Sequence, residues 1–156
     1  MRILFLLFTT ILASPLWAET VFIDATRDNT LFESDEGSLS NGAGQHFFVG
    51  LTAGAQKRRG LIAFDDLSAI PDGAKIKSVK LHLRMSRTET APANISLWRV
   101  LSDWGEGDSD AAGNEGMGAP AQTGDATWVH RFFDTQIWKG TGGDFPQVAS
   151  AALSVG

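Results

Sequence analysis

The chain has 156 residues, no cysteine, and 13 basic against 18 acidic side chains, a net charge of −5. That length suits one domain with its own core. The absence of cysteine excludes a disulfide framework, and the mild acidity argues against nucleic acid, whose phosphates need a basic face.

Residues 1–18 read as a secretory signal. Arg2 and the N-terminal amine precede an apolar run from Ile3 to Leu12 broken only by Thr9 and Thr10, and small Ala18 stands at the expected cleavage point before Glu19. The run is too short to span a bilayer, and no later one approaches the roughly 18 apolar residues a membrane span needs. Removal of the signal leaves 19–156, with 12 basic and 18 acidic residues. The expected location is therefore outside the cytoplasm: secreted, periplasmic or at a cell surface. An exported chain without disulfides relies on its core or on a bound metal ion, and fits a bacterial protein best.

The mature sequence reads as short strands separated by turn residues. Val21 to Ala25 is a first strand, and Asp28-Asn29-Thr30 a polar break before Leu31-Phe32-Glu33. Ser34 to Gly44 is a glycine-bearing loop, His46 to Val49 a strand, and Thr52 to Gln56 a turn. Gly60 to Phe64 is apolar on both parities, as in a strand covered on both sides. Ile70-Pro71-Asp72-Gly73 has turn chemistry. The clearest alternation follows, with Val79, Leu81, Leu83 and Met85 interleaved with Ser78, Lys80, His82 and Arg84. Period two predicts a strand with that apolar set buried and the polar set in water. Asn94 to Leu101, Ala126 to Phe133 and Ala149 to Val155 complete the strands, and no segment has a helical pattern. Strands at this spacing imply a sandwich or barrel. The last strand begins just before Gly156, so the expected sandwich is truncated at its C-terminus.

DNTLFE, SNGAG, FFVG, RRGLIAFDDLSAIPDGAKIKSVKLHL, W-G-E-G, GDATW and GGDF occur here in that order. The set resembles the DNRLRE domains of bacterial secreted and surface proteins, which are related to carbohydrate-binding module family 96. The resemblance spans about Ala25 to Val155. It implies an all-β, jelly-roll-like antiparallel β-sandwich over 19–156, used as an accessory module, with some relatives binding acidic polysaccharides such as alginate. It also implies continuation past the equivalent of Gly156. Phe64 and Asp65 match the family's Phe-Asp, and Trp104, Glu106, Thr127 and Trp128 its Trp-x-Glu…Thr-Trp pattern. These matches imply a tryptophan pair closing the core, with polar partners at a sheet corner.

Two constellations remain as candidate sites. No lysine or arginine lies between Arg99 and Arg131, where Asp103, Glu106, Asp108, Asp110, Glu115 and Asp125 carry −6. Hard oxygen ligands on a glycine-flexible loop suit Ca²⁺, so Asp108, Asp110 and Asn114 are candidate ligands for a structural calcium. The spacing is no EF-hand, since Ala112 and Ala119 occupy the fifth and twelfth positions, and a solvated acidic loop is the plain alternative. Among the aromatics, Trp104 and Trp128 read as core, while Trp98 and Trp138 are the candidates for stacking on sugar rings. Arg58 and Arg59, in the one basic triplet, could grip a uronate carboxylate.

No zinc, nucleophile-elbow or phosphate-loop motif occurs, so no catalytic residue is assigned. The expectation is a non-catalytic module, monomeric or part of a larger surface protein, whose partner is a polysaccharide. A structural spacer and a fragment of a polysaccharide lyase or glycosidase are the alternatives.

Overall fold

A computed structural model describes residues 18–88 and 91–155; all but the last residue of the expected signal, 1–18, lies outside them. The described residues form nine strands and no helix. They are β1 (Arg27–Phe32), β2 (Leu39–Ser40), β3 (Gly50–Leu51), β4 (Lys57–Ala63), β5 (Ala93–Leu97), β6 (Ala119–Pro120), β7 (His130–Phe132), β8 (Gln136–Ile137) and β9 (Ala151–Val155). All pairings are antiparallel: a three-stranded sheet in the order β1-β4-β3, and three pairs, β2-β6, β5-β9 and β7-β8.

In the main sheet Asn29 lies opposite Leu61 and Leu31 opposite Arg59. This face packs on Trp104, Ala126, Trp128 and Trp138, and with Leu31 and Leu61 they form the core. Ala63 and Val100 pack at its border. Trp104 and Trp128, bracketing a long glycine-rich loop in sequence, thus meet in one cluster. Arg27 closes its edge, with its guanidinium 4.8 Å from the Trp104 ring centre and its Nε 2.8 Å from Asp65 Oδ2. Asp65 also accepts a hydrogen bond from the Thr26 hydroxyl, so the Phe-Asp pair ends β4 at a sheet corner.

Four sequence expectations change. Residues 46–49, expected as a strand, form none, and β3 is confined to Gly50–Leu51. The polar triplet 28–30 is no break, because β1 runs through it. Asn29 and Thr30 have no solvent exposure, and the strand survives because their polar groups are satisfied. Asn29 Nδ2 donates to Glu106 O at 2.7 Å and to Ser40 Oγ at 2.9 Å, while its Oδ1 accepts from the Thr30 and Asn41 amides. Residues 21–25 are mostly exposed and form no strand.

The largest change concerns 78–85. Among the described residues this segment belongs to no strand pairing, and Val79 is 84% exposed. Leu81, Leu83 and Met85 are exposed as well. Alternation prepares one face for burial, but a strand also needs a neighbour for its N–H and C=O groups and a layer for its apolar face. Among the described residues neither is present. By contrast, the segments expected around 94–101 and 149–155 do form strands, and they pair with each other, Asn94 opposite Ser154 and Ile95 opposite Leu153. The resulting two-stranded ribbon is exposed along most of its length.

Candidate binding surface

Arg58 and Arg59 are adjacent in β4, so their side chains leave opposite faces of the sheet. Arg59 is on the core side. Its guanidinium lies 4.8 Å from the Trp128 ring centre and 4.9 Å from that of Phe145, and Nη1 donates to Gly142 O at 2.6 Å. Burial pushes its pKa down, with Glu33 opposing, but a guanidinium remains a cation. Gly142 has φ +85°, and a Cβ there would meet Arg59 Nη1 at 2.5 Å and the Trp128 ring at 2.8 Å. Only glycine fits this approach.

The loop that carries Gly142 and Phe145 is held by the buried Asp144. Its Oδ1 accepts from the amides of Lys139 and Gly140, and its Oδ2 from the Ser102 hydroxyl. The Leu101 amide donates to Asp144 O at 2.9 Å. These bonds clamp the chain after β5 onto the loop and bring Trp98 to Phe145, ring centres 5.4 Å apart and tilted by 57°. Trp98 is half-buried and Phe145 is 39% exposed. The result is a corner of two partly exposed rings with a fixed cation beneath one of them. Phe145 is the member that sequence reasoning missed. Its place beside an Asp144 cap and a glycine pair, Gly142-Gly143, was the available signal.

The other candidate residues are placed differently. Trp138 is 3% exposed and donates its Nε1–H to Thr127 O at 2.9 Å, so it is a core residue and no stacking platform. Its neighbours along the chain, Ile137 and Lys139, are exposed, so burial alternates residue by residue here. Arg58 lies on the far face, its guanidinium 4.8 Å from the Phe32 ring centre and its Nη1 donating to Lys57 O. It cannot share one ligand group with Arg59.

Asp108, Asp110 and Asn114 are exposed, and among the described residues no three or more His, Cys, Asp or Glu side chains converge as a metal set. The carboxylates of Asp108 and Asp110 thus belong to no such cluster. The loop's two buried acids serve the backbone instead. Asp125 Oδ2 accepts from the Gln122 amide at 2.7 Å, and Glu115 Oε2 from the His46 amide and the Asn41 side chain. Burial alone would raise the Glu115 carboxyl; hydrogen bonds from Asn41, Gln45 and His46 hold it below its ordinary value. Glu115 adopts φ +58°, strained for a residue with a side chain, and these bonds hold it there.

A groove of about 1800 Å³ opens on the other side of the main sheet. Its walls are residues 45–51, 83–88, 112–117 and the start of β5 with Val155 from β9. Phe47 lies against Gly60, where a Cβ would meet its ring at 2.4 Å, and the Phe48 amide donates to Thr30 Oγ1. Asp28 reaches this groove, and burial followed by the nearby Glu106 carboxylate pushes its pKa up. No family model matches the chain, and no curated protein or solved structure matches it either.

Proposed function

We propose that the chain is an exported, non-catalytic β-sandwich module of the DNRLRE type, with a jelly-roll plan, that binds a polysaccharide at the Trp98–Phe145 corner. The observation that carries this reading is the pair of partly exposed rings held beside the Arg59 cation. Sugar rings stack on such faces through C–H groups, and a guanidinium at the edge favours a uronate carboxylate. The signal order of residues 1–18 supports an extracellular or periplasmic location. One stacked ring contributes roughly 0.5–1.5 kcal/mol beyond area burial, so a corner of this size supports affinities from micromolar to millimolar.

The test is affinity electrophoresis and calorimetry against alginate, pectin and neutral glucans, with Trp98→Ala and Phe145→Ala beside wild type. Retardation by one glycan class that both variants weaken is expected. If no glycan retards the folded protein, a structural spacer takes the place of this reading.

One observation favours a second reading, an enzyme acting on a polysaccharide in the groove. Asp28, its carboxyl pushed up by burial and by Glu106, has the character of a general acid. Release of reducing ends or unsaturated sugars that Asp28→Asn abolishes would establish it.

A further inference from the structure

Between β4, which ends at Ala63, and β5, which begins at Ala93, the described residues form no strand and no helix. Connections longer than about 12–15 residues without structure of their own are uncommon in compact domains, and they serve mostly as functional loops or linkers. The arm at the centre of this connection, 75–86, is exposed at every residue, with Ile76 60% and Val79 84% exposed. Among the described residues no backbone-to-backbone hydrogen bond engages it. Its charge is one-sided: between Asp72 and Glu89 stand five lysines and arginines and no acid. Three of the chain's five lysines, Lys75, Lys77 and Lys80, lie here. The other two are held. Lys57 starts β4 with its Nζ 2.8 Å from Glu33 Oε1, and the Lys139 amide donates to Asp144 Oδ1.

The connection joins two halves that meet on one core. Leu31 and Leu61 come before it, and Trp104, Ala126, Trp128 and Trp138 after it. The sheet β1-β4-β3 lies wholly in the first half, and the pairs β5-β9 and β7-β8 wholly in the second. The β2-β6 pair crosses from one to the other, Leu39 opposite Pro120 and Ser40 opposite Ala119. Side chains cross as well. Asn29 Nδ2 donates to Glu106 O at 2.7 Å, Arg59 Nη1 to Gly142 O at 2.6 Å, and the Ala111 amide to Asn41 Oδ1 at 2.9 Å. None of these contacts includes a residue of the arm.

We infer that the arm is a processing site for a serine protease that selects a lysine before the cut, and that the cut chain persists as one two-piece particle. Such enzymes bind their substrates extended, several residues on each side of the bond, so a segment must be free of its own ladder to enter the cleft. Residues 74–81 satisfy this around the Lys77–Ser78 bond, and none of them lines the groove, whose wall on this segment starts at Leu83. A carboxylate at the base of the protease pocket pairs with the lysine ammonium, and the lack of acids between Asp72 and Glu89 leaves that pairing without a nearby competitor. In the cut, water adds across the peptide bond. The C–N bond breaks, the water oxygen becomes part of the Lys77 carboxylate, and both water protons end on the Ser78 nitrogen, which leaves as an ammonium. Lys57 and Lys139 become substrates only when their surroundings open, so their cleavage follows the small population of the opened state. The inference is independent of any ligand at the Trp98–Phe145 corner.

Limited digestion of the folded full chain by a lysine-specific serine endoprotease tests it. Intact mass should show cleavage confined to the bonds after Lys75, Lys77 and Lys80. On native size exclusion the two pieces should elute together at the position of the uncut chain. Lys75→Gln/Lys77→Gln/Lys80→Gln should slow cleavage at least about tenfold. All three positions are exposed, so near-native circular dichroism is expected of the variant. Digestion of the wild type in urea needs no variant: cuts after Lys57 and Lys139 should appear there and not in buffer. After the cut, joining the halves is bimolecular, so the melting temperature of the nicked protein should rise with protein concentration while that of the intact chain does not. Cleavage after Lys57 or Lys139 as fast as in the arm overturns the inference. So do a native chain that resists the protease, a variant cut as fast as wild type, and pieces that separate on cutting.

Discussion

Asn29 shows how one side chain can hold a strand that its polarity argues against. It has no exposure, and its amide joins β1 to Ser40, Asn41 and the Glu106 carbonyl. Truncation leaves several buried donors and acceptors unsatisfied at once, at about 1–3 kcal/mol each before relaxation. Asn29→Ala should therefore lower unfolding stability by more than about 2 kcal/mol in urea melts; a loss near zero would mean that water replaces the amide. The acids make predictions of opposite sign. Glu115 is held below its ordinary pKa, so its folded value is below its unfolded one. Its contribution is complete above the unfolded value, about 4.3, and is lost as pH falls through the folded value. Melting temperature should fall less steeply below about pH 4.5 in Glu115→Gln than in wild type. Asp28 is raised, so the folded chain holds that proton to higher pH than the unfolded chain. Its burial costs stability once pH exceeds the unfolded value, and Asp28→Asn should raise the melting temperature at pH 7 and change nothing near pH 3. Equal effects at both pH values would assign the change to packing.

At the scale of elements, β4 and the arm are a matched contrast. Both are extended and rich in aliphatic residues, but β4 has β1 on one side, β3 on the other and the tryptophan layer beneath. Leu61→Ala should cost roughly 2–5 kcal/mol, the usual range for a buried leucine. Val79→Ala should stay within about 0.5 kcal/mol, because little of Val79 is removed from water. Chemical denaturation at low protein concentration checks both, and the reverse order would mean that the arm is packed. The loop after β8 makes a similar contrast at shorter range. Gly142→Ala strains φ and collides with Arg59 and Trp128 together, whereas Gly140, with open space around its Cα, should accept alanine.

For the whole molecule, the distribution of charge matters more than its sum. A net −5 conceals one basic stretch, between Asp72 and Glu89, and one acidic stretch, between Arg99 and Arg131. The export reading is also a property of the entire chain. Mass spectrometry of protein recovered outside the cytoplasm should find residue 19 at the N-terminus, because positive start, apolar run and small-residue site occur in order. Recovery of exported protein with Met1 intact would count against it.

Composition and periodicity alone identified a chain of short strands without a helical pattern, and strands at 94–101 and 149–155 that form over the shorter spans 93–97 and 151–155; the pairing of Trp104 with Trp128 was implied by the resemblance. These are local properties: turn residues interrupt the chain at short intervals, and the alternation of side chains is covalent. Of the candidate corner, Trp98 and Arg59 were legible as residue types. Which of four tryptophans faces water was not, since burial depends on which layer lies against each face, and Trp138 is 3% exposed. Neither was the division of Arg58 from Arg59, which required knowing that both lie inside β4. Phe145 entered only because Asp144 clamps its loop to the chain after β5, a contact across 43 residues from Leu101. The alternation of 78–85 was real, yet a strand is completed by its neighbours. Whether that face is buried is decided by tertiary structure, because a ladder needs two sides and the alternation of one segment supplies only one of them.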